Sequence, residues 1–311
     1  MKVTILGCGN WGSVFGILLS RKGHQVTIWE FDSVRAQRVN QTRNNEPFLI
    51  GVPIPQNIYI TSRLDEAMNG AEICVFALPS TVLRSVVEQM APIRKPPLFY
   101  LSLIKGIEAK TLMRMSEIIE SKLVKDSSQI AVLSGPCIAN EVILQKPTSV
   151  VIASKEESTA RIIQENIATD YFRIYYSDDI IGVELGGALK NVIAIACGIS
   201  DGLNLGANAR GALITRGIVE ITRLGLKMGA SAATFAGLSG VGDLITTATS
   251  PHSRNRHLGE KIGQGKNLQE ALKDMVMVAE GVNTTIAACQ LAERNNVEMP
   301  ITFIIYEILF K

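Results

Sequence analysis

Residues 2–23 have the sequence "KVTILGCGNWGSVFGILLSRKG", and this stretch decides the fold of the first half of the chain. It starts with a short run of β-type residues, continues through three closely spaced glycines, and ends in a segment with helical spacing that Gly23 terminates. Such a pattern predicts a strand, a tight turn and a helix in direct succession.

The three glycines of the turn, Gly7, Gly9 and Gly12, form the pattern G-x-G-x-x-G. Between a strand and a helix, the first glycine permits the tight turn, the second lets the backbone approach a pyrophosphate, and the third lets the helix pack on the strand. The helix N-terminus then faces the phosphate charge. The motif predicts dinucleotide binding by Gly7, Gly9, Asn10, Trp11 and Gly12. A glycine-rich turn in an unrelated α/β fold is the alternative.

A carboxylate supports the dinucleotide interpretation. Glu30 lies eighteen residues after Gly12, at the end of the next predicted strand (24–30), where it could bond the ribose hydroxyls of an adenosine. The extra 2′-phosphate of NADP would meet the like charge of Glu30. The expected cofactor is therefore NAD or NADP, with NAD favoured unless Arg35 or Arg38 reaches the phosphate. The glycines alone do not distinguish a dehydrogenase from a flavin-binding fold or a nonenzymatic nucleotide sensor.

The rest of the first half alternates between strands and helices. Strand-like runs lie at 72–78, 98–103, 129–134, 149–154 and 171–177, with helix-length segments at 80–91, 110–122 and 156–168. This alternation predicts a parallel sheet with helical crossovers. From 182 onward only helix-length segments follow, including one at 257–264. The sequence thus predicts an α/β Rossmann-type doubly wound sheet at 1–180 and an all-α C-terminal domain at 181–311, joined near residues 177–179.

Composition and charge limit the classes of function. The 311 residues suffice for two domains, and 47% hydrophobic with 19% charged residues is ordinary for a globular protein. A formal charge of +2 gives no indication of nucleic-acid binding. The cysteines form no Cys-x-x-Cys pair, and His252 and His257 lack further ligand-like neighbours, so no metal site is predicted. The scattered cysteines fit a reducing cytoplasm, so we expect a cytoplasmic protein. No apolar run reaches the roughly 18 to 20 residues of a membrane span, so stable membrane insertion is not expected.

Lys190 stands in an unusual context. It ends the apolar run of "ELGGALKN" (184–191), one helical turn after Gly186 and Gly187. Each helix glycine costs roughly 0.5 to 1 kcal/mol relative to alanine, so the pair needs a reason. Either the glycines clear space for a ligand beside a buried Lys190, or they permit close helix packing while Lys190 reaches solvent. In the first case, burial would disfavour the charged form of Lys190 and lower its pKa.

Four stretches collect polar groups: "LIKG" with Lys105, "SGPCIANE" at 134–141, "ELGGALKN", and "GVGDLITTATSPHSRN" with Asp243 and Arg254. Together they resemble the family of NAD(P)-dependent glycerol-3-phosphate dehydrogenases. The likeness runs nearly end to end and includes "GCGNWG", "SLIKGIE", "SGPCIANEV", "GLSGVGDLITT", "EGVNTT" and the long string that starts with "VELGGALKN".

The resemblance implies the interconversion of sn-glycerol 3-phosphate and dihydroxyacetone phosphate, a phosphorylated small-molecule substrate, by hydride exchange with a nicotinamide. It also implies a role in glycerophospholipid synthesis and a homodimer. Lys190 is then the proton acceptor, with Lys105 and Asp243 at the reacting centre. The implied cationic neighbours Lys105 and Arg254 would lower the pKa of Lys190 further, which suits a base that takes a hydroxyl proton. The implied substrate-binding residues are Lys105, Gly135, Asn191, Thr247, Ser253, Arg254 and Asn255. The implied cofactor contacts outside the glycine motif are Glu30, Lys105, Ala139, Arg254, Val278 and Glu280.

Single residue types keep more than one interpretation. The planar fork of Arg254 matches phosphate oxygens, although an exposed loop arginine is also possible. Asp243 could orient Lys190 electrostatically or cap the helix that begins at "LITT", and these two roles are compatible. Cys137 stands where the family usually has serine or threonine, so a hydrogen bond carried over to it is in doubt. The chain ends at "YEILFK", before the family's usual end, which predicts a shortened last helix.

Two rival functions remain at this level. Other two-domain dehydrogenases, of the 3-hydroxyacid or 6-phosphogluconate type, also have a lysine followed by asparagine but lack the "GDLITT" and "SRN" strings. A nonenzymatic nicotinamide-nucleotide sensor would share the glycine motif and use its second domain to bind a partner protein.

Overall fold

The structure is a computed structural model that describes residues 1–93, 95–124, 126–273, 275 and 277–311. The chain divides into two compact units. The first unit comprises Met1–Ile104, Ser116–Leu133 and Cys137–Asp178, and the helical unit comprises Lys105–Met115, Ser134–Pro136 and Asp179–Lys311. The predicted division at 180/181 therefore differs in two short segments, which join the helical unit because Lys105 and Ser134 bond to groups within it.

The first unit is built on an eight-stranded sheet in the order β3-β2-β1-β4-β5-β6-β7-β8. The strand pairs whose register is described are parallel. The strands are β1 (Lys2–Leu6), β2 (Gln25–Trp29), β3 (Ile58–Thr61), β4 (Ile73–Phe76), β5 (Phe99–Ser102), β6 (Ile130–Ser134), β7 (Thr148–Ala153) and β8 (Phe172–Ser177). The order reverses beside β1, and ligands of doubly wound sheets bind at the carboxyl ends of the strands at such a point.

Helices flank the sheet, and the inward faces of some of them form a hydrophobic core with it. They are α1 (Asn10–Arg21), α2 (Ser33–Thr42), α3 (Leu64–Met68), α4 (Leu83–Met90), α5 (Met115–Leu123), α6 (Ala139–Ile143) and α7 (Glu157–Ile167). The predicted helix at 110–122 begins later, because Ile107 and Arg114 form an isolated antiparallel bridge. β3 was missing from the sequence predictions: it has only four residues, and Tyr59 interrupts its buried pattern.

The described part of residues 179–311 contains helices and no strand. They are α8 (Ile180–Gly202), α9 (Gly206–Lys227), α10 (Ala232–Ala236), α11 (Asp243–Thr249), α12 (Arg254–Gly263), α13 (Leu268–Lys273), α14 (Glu280–Arg294) and α15 (Pro300–Phe310), with a π-helical turn at Leu238–Gly242. The helix predicted at 257–264 begins earlier, at Arg254, because Ser253 caps it. The predicted α/β sheet followed by an all-α domain is confirmed.

α8 is the central helix of this unit. This helix is long and apolar enough to cross a membrane, but 94% of its most apolar stretch is buried within the protein. α12 packs against it backbone to backbone. A Cβ on Gly198 of α8 would lie 2.0 Å from the Arg256 carbonyl oxygen, and a Cβ on Gly259 of α12 would lie 2.1 Å from the Ile195 carbonyl oxygen. These glycines set the distance between the two helices.

Candidate functional site

The glycine motif forms the turn between β1 and α1. Gly7 has a φ of 115°, and a Cβ there would lie 2.5 Å from the Ala77 carbonyl oxygen. A Cβ on Gly12 would lie 2.0 Å from the Gly7 carbonyl oxygen, whereas a Cβ on Gly9 would meet nothing within 4 Å. Gly7 and Gly12 are thus required by the fold itself, and Gly9 leaves the backbone open to a ligand.

The start of α1 fits a dinucleotide phosphate. No side chain caps this helix, so its first amide groups remain available to an anion. The Asn10 Oδ1 atom is buried without a hydrogen-bond partner. Trp11 packs its ring against Phe15 and Phe172, with centroids 5.8 and 6.4 Å apart, and so contributes to the core. The cofactor-binding role of these residues stays a prediction, which the open space at Gly9 and the uncapped start of α1 support.

Glu30 is not a bare carboxylate. It is 3% exposed, accepts a hydrogen bond from the Asp32 amide at 3.2 Å, and forms an ion pair with Arg35, whose Nη1 lies 3.1 Å from Oε2. Burial raises the pKa of Glu30, and the Arg35 guanidinium opposes this shift. A carboxylate that is paired with Arg35 repels a 2′-phosphate less than an unpaired one would. The NAD preference stays a prediction, with a weaker physical basis than the sequence suggested.

Asp243, the first residue of α11, is the central anion of the helical unit. It is 1% exposed, and its Oδ2 accepts a bond from Lys105 Nζ at 2.7 Å, while Lys190 Nζ bonds to Oδ1. Ser134 also bonds to Oδ2, at 3.4 Å. Burial alone would raise the pKa of Asp243, but the two ammonium groups outweigh it and hold that pKa below its ordinary value. The buried carboxylate is therefore charged at neutral pH.

The two proposed roles of Asp243 can now be separated. α11 has Gly242 at its N-cap position, and no side chain caps it. The alternative that Asp243 caps this helix is wrong, because its carboxylate binds the two lysines. The sequence did not single out Ser134 as a further partner of the carboxylate, although it opens the "SGPC" string.

Lys190 is buried, with 5% of its surface exposed. Its Nζ donates to Thr247 Oγ1 at 2.6 Å as well as to Asp243. The alternative in which Lys190 reaches solvent is therefore wrong. The expected cationic neighbourhood was incomplete, because the Asp243 carboxylate binds both Lys190 and Lys105.

The glycines before Lys190 have structural partners of their own. A Cβ on Gly186 would lie 2.5 Å from the Ser239 carbonyl oxygen, so Gly186 permits close packing against the π-helical turn. A Cβ on Gly187 would lie 2.5 Å from Ser134 Oγ and 3.5 Å from Lys105 Cγ. Gly186 therefore serves helix packing, and Gly187 makes room for side chains that bind Asp243. The expectation that both glycines clear space for a ligand is wrong, because protein atoms occupy the space beside each of them.

A chain of buried amides connects the surrounding elements. Asn191 Nδ2 donates to the Lys105 carbonyl oxygen at 3.1 Å, and Asn255 Nδ2 donates to Asn191 Oδ1 at 2.8 Å. The Gly281 amide donates in turn to Asn255 Oδ1 at 2.9 Å. The Lys105 segment, α8, α12 and α14 are thus held in one register around Asp243.

The remaining predicted residues are distributed as follows. Arg254 is exposed, and its Nη1 donates to the Val278 carbonyl oxygen at 2.9 Å. Ser253 caps α12, accepting from the Arg256 amide at 3.3 Å. Glu280 begins α14. The Gly135 carbonyl oxygen accepts a bond from Lys105 Nζ at 2.9 Å. Ala139 begins α6 and belongs to the first unit.

The helical unit therefore collects two lysines, an aspartate, a threonine and an exposed arginine. This set can move a proton and bind an anion. Among residues 1–93, 95–124, 126–273, 275 and 277–311, no group of three or more His, Cys, Asp or Glu side chains could hold a metal ion.

Comparison with known proteins gives consistent matches. Family models for the N-terminus and the C-terminus of NAD-dependent glycerol-3-phosphate dehydrogenase match residues 2–160 and 179–311. The glycerol-3-phosphate dehydrogenase [NAD(P)+] of Thermoanaerobacter sp. (strain X514) is 48% identical over 311 residues, which are 100% of this chain and 93% of that protein. That of Geobacter sulfurreducens is 47% identical over 309 residues, 99% of this chain and 92% of that protein.

A solved structure agrees with these matches. The crystal structure of glycerol-3-phosphate dehydrogenase from Coxiella burnetii superimposes with a TM-score of 0.94 at 36% identity, covering 99% of this chain and 94% of that one. The chain belongs to the NAD-dependent glycerol-3-phosphate dehydrogenase family.

Proposed function

We propose that this protein is an NAD(P)-dependent glycerol-3-phosphate dehydrogenase that interconverts dihydroxyacetone phosphate and sn-glycerol 3-phosphate. The observation that carries the proposal is the buried Asp243 carboxylate bound by both Lys190 and Lys105, in a chain of this family. The bound nicotinamide cofactor supplies or accepts the hydride. The open Gly9 and the uncapped start of α1 are the features of the first unit that suit this cofactor.

Lys190 is the proposed acid and base. When the ketone is reduced, its ammonium group donates a proton to the carbonyl oxygen. When the alcohol is oxidised, the neutral amine accepts the hydroxyl proton. Asp243 and Thr247 fix the position of Lys190 Nζ, and Asp243 stabilises its charged form. The pairing therefore favours the protonation state that ketone reduction requires.

Arg254 is the proposed anchor for the substrate phosphate. Its side chain is exposed while one Nη1 bond to the Val278 carbonyl oxygen orients it. The guanidinium keeps further donors for phosphate oxygens. Asn255, the next residue on α12, is held by its own amide bonds and places the start of this helix.

The finer expectations rest on family membership. We propose that the protein is a cytoplasmic homodimer that supplies sn-glycerol 3-phosphate for glycerophospholipid synthesis. It would neither insert stably into a membrane nor bind nucleic acid. Light scattering coupled to size-exclusion chromatography measures the mass of the particle, and a mass near that of one 33.7 kDa chain would contradict the dimer.

The experiment combines two variants with two substrates. Wild type should oxidise NADH or NADPH in the presence of dihydroxyacetone phosphate. Lys190→Ala should chiefly lower kcat, by about a hundred- to ten-thousandfold, and Arg254→Ala should chiefly raise KM for the phosphorylated ketone. Dihydroxyacetone has the carbonyl but lacks the phosphate. Wild type should use it poorly, and Arg254→Ala should lose little further activity on it.

The control is the affinity for NADH, which both variants should retain. If Arg254→Ala damaged the phosphorylated and unphosphorylated reactions equally at unchanged NADH affinity, Lys105 or Asn255 would replace Arg254 as the anchor. If wild type failed to oxidise either reduced cofactor with dihydroxyacetone phosphate, the proposed function would be wrong. A 3-hydroxyacid dehydrogenase or a nonenzymatic sensor would then become the better interpretation.

A further inference from the structure

The Glu30–Arg35 ion pair in the first unit has no assigned role in the proposed reaction. Glu30 follows β2, and Arg35 lies in the first turn of α2. Their side chains are 3% and 16% exposed, and the nearest Nη1 and Oε2 atoms are 3.1 Å apart. Exposed ion pairs contribute little to stability and buried ones carry a desolvation cost, so this mostly buried pair calls for a functional or structural reason.

The guanidinium of Arg35 is fixed rather than simply adjacent. Its Nη2 donates to the Cys8 carbonyl oxygen within the glycine motif and to Asn45 Oδ1 at 3.0 Å. Its Cζ lies 3.8 Å from the centre of the Phe48 ring. Asn45 itself donates to the Cys8 carbonyl oxygen at 2.9 Å and to Ser13 Oγ at 2.8 Å. The loop that carries Asn45 and Phe48 thus holds Arg35 against the cofactor motif.

One donor of this fixed guanidinium is not used. Arg35 Nε is buried and has no hydrogen-bond partner. A buried N–H group without a partner costs free energy that a ligand oxygen would recover. Arg35 is therefore a preorganised cation with a spare donor, next to the carboxylate that the motif assigns to the adenosine ribose.

The carboxylate marks the place where NAD and NADP differ. In this type of fold, an acidic residue at the end of the second strand bonds the ribose 2′-hydroxyl, and an arginine nearby accommodates a 2′-phosphate. Here both groups are present and neutralise each other, 3.1 Å apart. We infer that Arg35 is the specificity-determining residue that binds the 2′-phosphate of NADP, while Glu30 serves the 2′-hydroxyl of NAD, so that one pocket accepts both cofactors.

The inference rests on the proposed use of a nicotinamide cofactor, and its test requires no turnover. Calorimetric titration of the intact protein with adenosine 2′,5′-bisphosphate and with ADP compares ligands with and without the 2′-phosphate. Arg35→Gln should weaken binding of the bisphosphate about ten- to hundredfold, as expected for lost charge-assisted hydrogen bonds, and change ADP binding less than about threefold. Arg38→Gln is the matched control, because Arg38 is an exposed residue of the same helix that donates to the Glu46 carbonyl oxygen.

A second variant separates direct binding from masking of Glu30. Removing Arg35 also leaves the Glu30 charge exposed to the phosphate. If Arg35 is a ligand, Glu30→Gln/Arg35→Gln should still bind the bisphosphate poorly. Recovery of wild-type affinity in this double variant would overturn the inference, as would equal losses for both ligands in Arg35→Gln. Retained ADP binding shows that each variant is folded.

The failure of this inference is distinguishable from that of the proposed function. If the binding difference depends on Arg35 but the protein does not reduce dihydroxyacetone phosphate, the inference about Arg35 stands and the proposed function is wrong. A protein that reduces dihydroxyacetone phosphate with NADPH equally well in Arg35→Gln and wild type keeps the reaction and loses the inference.

Discussion

At the scale of single residues, Asp243 connects the proposed chemistry to stability. Its folded-state pKa lies below the ordinary value of 3.8 because Lys105 and Lys190 both bind its carboxylate. A group with a depressed folded-state pKa stabilises the protein fully above its unfolded-state pKa. That contribution is lost as the pH falls through the folded-state pKa.

We therefore predict that Asp243→Asn lowers the free energy of unfolding most at neutral pH. Removing one partner of a buried ion pair costs about 3 to 5 kcal/mol, and here two lysines would lose their anion. The difference from wild type should shrink only below about pH 3.8, as the wild-type carboxylate takes up its proton. Urea unfolding over a pH series measures this difference.

The matched control for this prediction is Asp65→Asn. Asp65 and its partner Arg63 are exposed, with 71% and 70% of their side-chain surfaces accessible, so the stability should change little. A constant Asp243→Asn effect from pH 7 to the acid limit of folding would show that shape or packing, and not charge, explains the loss.

Residue types at this site were predictable, but their partners were not. Lys105, Lys190 and Asp243 belong to separate strings of the sequence, and nothing in the strings states that one carboxylate binds both lysines. Likewise Glu30 followed from its spacing to the glycines, whereas its ion pair with Arg35, whose guanidinium also lies over the Phe48 ring, did not. Local sequence patterns indicate which residue types form the site, whereas the burial and the ion pairs that set their charge states come from residues distant in sequence.

At the scale of elements, the contact between α8 and α12 positions the candidate phosphate anchor. α12 begins with Arg254 and Asn255, and its Gly259 meets the backbone of α8. We predict that Gly198→Ala forces α12 away from α8, since the new methyl group would lie 2.0 Å from the Arg256 carbonyl oxygen. The expected loss is about 1 to 3 kcal/mol of stability, typical of overpacking, together with a raised KM for dihydroxyacetone phosphate.

Gly211→Ala is the control for this contact. Gly211 lies in α9, where a Cβ would meet nothing within 4 Å, so the substitution should stabilise the protein by about 0.5 to 1 kcal/mol and leave KM unchanged. Urea unfolding and steady-state kinetics give both quantities. A Gly198→Ala protein with wild-type stability and KM would show that α12 does not depend on this backbone contact.

Element type followed from sequence periodicity more reliably than element limits. β1 and α8 are buried almost throughout and were predictable from residue type, length and flanking residues, whereas β3 has only four residues. α12 begins at Arg254 because the Ser253 hydroxyl accepts a hydrogen bond from the Arg256 amide and so caps the helix. The resemblance assigns the same "SRN" string to substrate binding. The residue type of Ser253 fits both a helix cap and a substrate ligand, so the sequence alone could not separate the two roles.

At the scale of the whole molecule, the helical unit is discontinuous in sequence. The segment Lys105–Met115 comes after β5, and the segment Ser134–Pro136 begins at the last residue of β6, but both belong to this unit. They contribute Lys105 to Asp243, and Arg114 to a buried ion pair with Glu184 of α8, whose Nη1 and Oε2 atoms are 2.6 Å apart. A boundary drawn along the sequence cannot represent this arrangement, which is why the predicted limit at 180 missed both segments.

We predict that a fragment containing residues 179–311 is less stable than the same unit in the intact chain, because it lacks Arg114 and Lys105. Glu184→Gln tests the cause. In the intact chain it removes one partner of a buried pair and should cost about 3 to 5 kcal/mol. In the fragment, where Arg114 is already absent, the same substitution should cost clearly less. Urea unfolding followed by helical circular dichroism measures both losses.

Glu293→Gln, at an exposed position of α14, should have equally small effects in the fragment and the intact chain. If the fragment does not fold, Arg114→Met in the intact chain replaces the truncation, and Glu184→Gln should again cost less in that background than in wild type. Equal costs of Glu184→Gln with and without Arg114 would mean that the pair is not what attaches the Lys105–Met115 segment to α8. The stability of the unit would then depend on other contacts, and a contiguous helical domain would be the better description.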